Sequence, residues 1–187
     1  LNSASLPNRT WVNERLTFTH GYGLTLGPVN QVTGEGLPVL FVRDLPPQST
    51  VDLKIDQPSI YFGELTNDYV IVRTKTREFN YPRGDDNEFT QYDGTGGVAL
   101  GSLWRKLIFA LRFGSYQILL SDDIGPESRI LFNRNIRERI SALAPFLRFL
   151  DQDPYLVVAH GRLFWLYDAY TASTSSPYSP PSGPGDY

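Results

Sequence analysis

The chain has 187 residues, 41% of them hydrophobic and 13% aromatic, with a formal charge of −3 and no cysteine. That length suits one domain, or one domain with tails, and the aromatic share argues for a packed core over a disordered chain. The lack of a basic excess argues against a nucleic-acid partner, and the lack of cysteine excludes disulfide scaffolds, thiol nucleophiles and thiolate metal sites. No stretch approaches the ~20 uncharged apolar residues that span a bilayer. Methionine is absent as well, even at position 1. We therefore expect a processed chain or, preferably, a piece of a longer polypeptide.

Residues 1–16 are turn-rich and read as a peripheral N-terminal segment. "ERLTFTHGYGLTLGPVN" mixes β-formers with Gly21, Gly23 and Gly27 and predicts an irregular strand or two. "LPVLFVRDLPP" predicts a short strand stopped by Pro46 and Pro47. "SIYFGELTNDYVIVRTKT" carries the clearest β signal, two apolar runs around a hairpin-like "ELTND". "REFNYPRGDDNEFTQYDGTGG" reads as a long loop with short extended pieces.

Leu100, Leu103, Trp104, Leu107, Ile108 and Leu111 then recur at helical spacing, which predicts a helix over about 99–112 ended by Gly114. Phe109 falls off that stripe. Burial of the helix in the domain is the expectation, with lipid or another chain segment as the alternative contact. "SYQILLS" is a strand candidate. A second helix is predicted over about 126–144, with Pro126 at its first position and Phe132, Ile136, Ile140, Leu143 and Leu147 on one face. "YLVVAHGRLFWLYDAY" reads as two β-runs joined by a turn at "HGR". Residues 172–187, rich in Ser and Pro, form a tail or connector that cannot build a core. The order predicts an α+β fold: a mixed, mainly antiparallel sheet with two principal helices, within a single domain over 17–171.

Chemistry is sparse. There is no G-x-S-x-G for a serine hydrolase. His20 and His160 sit beside glycines and read as turn histidines. With Asp151, Asp153 or Glu64 they could form a two-histidine, one-carboxylate set, but no H-E-x-x-H supports it. "GDDNEFTQYDG" and "DQDPY" depart from the calcium-loop pattern and read as an acidic loop and a turn before Pro154. Gly94, Gly96 and Gly97 precede a helix but lack the P-loop lysine, so a plain turn competes with an anion site. Among the acids, Glu35, Glu64, Asp93, Asp153 and Asp168 could meet across a cleft, though their spacing does not require it. The ligand-binding candidates are His20, Glu64, Asp153 and Asp168, with no catalytic residue, metal or cofactor assigned. Tyr61, Tyr81, Tyr92 and Tyr155 read as loop aromatics available for recognition.

The segments "GPVNQVTGEGLPVLFVRDLPP", "IYFGEL", "YVIVRT", "REFNYP", "YDGTGGVALGSLWRKLIFALRF", "ILLSDDI", "SRILFNRNIRERISALAPFL", "DPYLVV" and "DAYTAS" occur in one consistent order. Together they resemble the uncharacterised protein family 0182, large bacterial membrane proteins, from about Thr17 to Ser179. His160 departs from the family's "DGRLYW"-like stretch, where the position is usually acidic. The resemblance implies location more than activity: a soluble extracytoplasmic segment of a multi-pass protein, set in the cell membrane by spans absent here. Its expected role is binding or assembly, with its own membrane-spanning region or envelope components as partners. The alternative is a hydrolase-type domain acting on cell-envelope material through a carboxylate and histidine cleft. In the leading reading two apolar helical stripes cover a sheet, and the ionisable groups are dispersed over the surface.

Overall fold

The computed structural model describes residues 8–66, 68–149 and 153–171. A five-residue π-helical turn, Asn13–Thr17, precedes the first strand. Eight short strands follow: β1 (Gly21–Tyr22), β2 (Val42–Arg43), β3 (Gln48–Ser49), β4 (Ser59–Ile60), β5 (Val70–Val72), β6 (Glu78–Arg83), β7 (Asp86–Thr90) and β8 (Val98–Ala99). Then come helix α1 (Leu103–Phe113), helix α2 (Gln117–Leu120), strand β9 (Arg129–Leu131), helix α3 (Ile136–Leu143) and strands β10 (Tyr155–Ala159) and β11 (Arg162–Leu166). All pairings between these strands are antiparallel. The fold is α+β, as the order of elements predicts, but among the described residues its strands are distributed over five small sheets.

The three-stranded sheet β5–β9–β8 is the centre. Its alternation divides the core into two. Ile71 and Ile130 face one side with Leu16, Leu100, Phe109, Ile118 and Ile124. Val70, Val72 and Leu131 face the other with Tyr92, against which Tyr61 and Phe62 pack. Trp11 packs on the first cluster and donates its indole N–H to the Tyr69 hydroxyl at 3.1 Å. The segment read as peripheral thus contributes Leu16 and Trp11 to the interior.

Several elements differ from the sequence reading, each for an identifiable reason. "SIYFGELTNDYVIV" is not a hairpin, because β4 pairs with β1 while β5 pairs with β9. "REFNYPRGDDNEFT" is a hairpin, β6–β7, with a register irregularity between Phe79 and Tyr81. "QILL" is one turn of helix, since the backbone N–H of Ser121 bonds to the Gln117 carbonyl. The second principal helix begins at Ile136, not at Pro126, because Asn135 caps it: its side chain accepts from the N–H groups of Arg137 and Glu138. The intervening residues 129–131 are spent as β9. The final hairpin has the expected form, with His160 (φ 50°) and Gly161 (φ 73°) turning between β10 and β11.

Helix α1 ends where expected. Gly114 adopts φ 60° and its N–H returns to the carbonyls of Ala110 and Leu111. The helix faces the opposite way from the expectation, however. Phe109 and Ala110 are buried, and Phe113 packs between Tyr69, Phe109 and Phe132. Four members of the predicted stripe point to solvent: Leu103 is 73% exposed, Trp104 74%, Ile108 60% and Leu111 75%, whereas Leu107 is half-buried and Leu100, ahead of the helix, is fully buried. The stripe of α1 that meets the core is Phe109, Ala110 and Phe113, in place of the leucine one. In α3, likewise, Ile136 is buried while Leu143 is exposed.

Replacing Phe109 with Ala in this chain should cost about 3–5 kcal/mol, whereas Leu111→Ala should cost less than about 0.5 kcal/mol. Urea unfolding monitored by circular dichroism measures both. Equal costs would show that α1 is rotated from the orientation described.

Candidate functional site, a buried carboxylate and histidine network

Glu78 begins β6, in a position where strand alternation turns its side chain inward, and only 1% of it is exposed. A buried carboxylate must be hydrogen-bonded throughout. Thr19 donates its hydroxyl to Oε2 at 2.6 Å and Tyr61 donates its own at 2.9 Å. On Oε1, the backbone N–H of Tyr92 donates at 3.0 Å and that of Arg73 at 3.3 Å. Four separate segments therefore converge on one side chain.

His20, 3% exposed, adjoins this carboxylate. Its Nδ1 lies 2.9 Å from Thr19 Oγ1 and its Nε2 3.1 Å from the Asn80 side-chain oxygen. Thr19 has one hydroxyl proton and gives it to Glu78, so Nδ1–H is the donor to Thr19. The imidazole stacks on Tyr61, ring centroids 4.6 Å apart. Burial pushes the His20 pKa below its usual value, outweighing the opposing effects of Asn80 and Glu78. The Tyr61 phenol is pushed up, first by burial and then by the charge of Glu78.

Arg134 completes the cluster from the loop before α3. It is 5% exposed and its guanidinium donates to backbone carbonyls: Tyr61 at 2.7 Å, Asp68 at 3.3 Å and Thr19 at 2.6 Å. Burial brings its pKa down to about 10, which leaves it charged at neutral pH. Two more arginines act in the same way on the glycine-rich loop. Arg73 donates to the carbonyls of Tyr92 and Gly94, and Arg129 to those of Thr95, Gly96 and Gly97. This loop turns carbonyls toward cations, the wrong polarity for an anion site, and α1 starts only at Leu103.

Of the four candidates read from sequence, Glu64 and Asp153 meet. Arg137 Nη2 donates to both, at 2.9 Å and 2.8 Å, with the Asp153 side chain 86% exposed. His20 bonds instead to Thr19 and Asn80, and Asp168 is exposed two residues beyond β11. His160 is exposed at a hairpin tip, so the two histidines are separated between interior and surface. Asp151 lies outside the described residues. Asp93 is exposed and accepts from the Gln57 amide at 3.1 Å. Among the described residues no group of three or more His, Asp or Glu is placed to hold a metal ion. The picture of dispersed ionisable groups needs correction: His20, Glu78 and Arg134 do gather in the interior. Tyr61 and Tyr92, read as recognition aromatics, belong to that interior too, whereas Tyr155 is exposed. Glu78 and Arg134 escaped the sequence reading because each sits among other charged residues, in "KTREF" and "FNRNIRER". The one available signal was Glu78 at the head of an aromatic run.

A groove of about 300 Å³ opens elsewhere, walled by Phe62, Val98, Leu131, Phe132 and Leu143, with Asn133 and Arg139 as its polar members. The Arg139 guanidinium lies 4.6 Å over the Phe62 ring. Such a lining suits an apolar or aromatic group and supplies no carboxylate or histidine for acid–base chemistry.

The model of the Uncharacterised protein family (UPF0182) matches residues 1–186. The chain belongs to this family. A UPF0182 protein of Geotalea uraniireducens is 57% identical over 182 residues, covering 97% of this chain and 20% of the relative. One from Pelotomaculum thermopropionicum is 48% identical over 188 residues, covering 100% of this chain and 20% of its own length. The chain thus spans about a fifth of the length of these curated relatives. No solved structure matches it. Among the described residues no helix is long and apolar enough to cross a membrane.

The depressed pKa of His20 has a definite sign. The unfolded chain takes up a proton near the usual value of 6.5 while the folded chain resists it. This contribution to stability is complete above pH 6.5 and is lost as pH falls from there toward the folded pKa, with a slope of at most about 1.4 kcal/mol per pH unit. Urea midpoints measured between pH 7.5 and 5.5 should fall more steeply for this chain than for His20→Gln (a pH range chosen about the histidine reference value). Parallel slopes would show that His20 is not held neutral by burial.

Proposed function

We propose that this chain is a binding or assembly module of a larger multi-pass bacterial membrane protein. In this reading it lies on the extracytoplasmic side, and its partners are its own membrane-spanning region or envelope components. The location rests on the family resemblance. The role rests on one observation: the most apolar face of α1 is turned away from the core, with Leu103, Trp104, Ile108 and Leu111 all exposed. A contiguous apolar surface of this kind is the mark of a contact site. Its aromatic member, Trp104, is of the type that anchors interfaces.

The network at Glu78 supports the same reading. Its carboxylate accepts four hydrogen bonds and its arginine neighbour is committed to three carbonyls, so both serve to hold segments together. A hydrolase would need a carboxylate or histidine facing a substrate-sized hollow, and the groove beside Phe62 offers Asn133 and Arg139 in that place.

The combined substitution Leu103→Gln, Ile108→Gln and Leu111→Gln separates folding from assembly. In this chain alone we expect an almost unchanged urea midpoint, because exposed positions cost less than about 0.5 kcal/mol each. In the full-length polypeptide carrying this segment we expect loss of assembly or of accumulation in the membrane fraction. Normal assembly of that variant would overturn the proposal.

A further inference from the structure

We infer that the exposed face of α1 is the seat of another segment of the same, longer polypeptide. This rests on the assembly reading above and names its partner. On an α-helix Leu103, Leu107, Leu111, Trp104 and Ile108 cover an arc of about 140° without a charged residue. Tyr116, which precedes the adjoining α2, and Leu120 at its end are exposed as well. An uncharged arc of this width matches the buried centre of a permanent interface, where charges are depleted and aromatics enriched.

Three occupants are conceivable, and the details of α1 choose between them. A helix lying on an anionic lipid surface presents its cations to the headgroups. The three cations of α1 all have partners within the domain, Lys106 half-buried and Arg105 and Arg112 at the surface. Lys106 Nζ donates to the Ile124 carbonyl at 2.8 Å, and Arg105 Nη1 donates to the Ala99 carbonyl at 3.3 Å. The Arg112 guanidinium lies over the rings of Phe113 and Phe132, at 5.7 Å and 5.4 Å. With those cations engaged and a net charge of −3, attraction to an anionic surface is weak. A second copy would have to be gathered from solution against the entropy of association. A segment of the same chain arrives at a high local concentration set by its tether. The curated relatives supply the length: this chain covers 20% of each, so about four fifths of a family protein lies outside it.

Photo-crosslinking in the full-length polypeptide carrying this segment tests the inference. p-Benzoylphenylalanine is introduced at Ile108, with a control at the exposed Glu127. We expect irradiation of native membranes to give an adduct at monomer mass from position 108, joined to a peptide outside this segment. It should be lost on unfolding and absent from the control. An adduct at dimer mass or an adduct to lipid would overturn this inference while leaving the assembly reading intact. No adduct at position 108 would overturn it too; combined with normal assembly of the three-glutamine variant, it would remove both.

Discussion

A carboxylate removed from water has to be bonded on all sides, and the fold of this chain is organised around meeting that demand at Glu78. The donors come from Thr19, Tyr61, Arg73 and Tyr92, which are far apart in sequence. Arg134 imposes the reciprocal demand and meets it with carbonyls from Thr19, Tyr61 and Asp68. Both charges thus hold some of the same segments. Breaking one of these bonds would strand a buried polar group, at a cost of about 1–3 kcal/mol.

This matters because the sheets are small. Four are two-stranded, and an isolated two-stranded ribbon is marginal in water. What joins them is side chain to backbone. Arg15 reaches the Tyr69 carbonyl, Arg73 those of Tyr92 and Gly94, and Arg129 three consecutive carbonyls of the loop at 95–97. Arginine suits the task because its planar fork offers several donors in fixed directions and carries its charge at every relevant pH. Glu78 does the same for N–H groups. Glu78, His20 and Arg134 are engaged in holding these segments together, and the apolar face of α1 stays exposed.

The parts of this arrangement that were legible in sequence are those governed by local rules. Helical spacing located α1, a glycine able to adopt positive φ located its end, and β-runs flanking "HGR" located the last hairpin. Orientation was not legible. Periodicity shows that α1 has a leucine-rich face, but not that Phe109 and Phe113 outcompete it for the interior, which depends on Tyr69 and Phe132 from elsewhere in the chain. Pairing was legible only where a tight turn specified it. β5 finds its partner at β9, across some 60 residues, and no local signal marks that choice. The same limit hid the Glu78 network. His20 was visible as a candidate but its partners were not, since Thr19, Asn80 and Tyr61 are ordinary in their own surroundings. Glu64 and Asp153 were visible as acids, and their meeting through Arg137 is a product of the tertiary fold.

The dependence on Glu78 can be read at a single backbone position. The N–H of Tyr92 lies beyond the end of β7 and bonds to the Glu78 carboxylate, not to a neighbouring strand. Amide hydrogen exchange of this chain at neutral pH should place Tyr92 in the slowest class, with the amides of β5. Exchange of Tyr92 at the rate of an open loop amide would contradict the account, because the carboxylate would then not be holding the segment it is said to anchor.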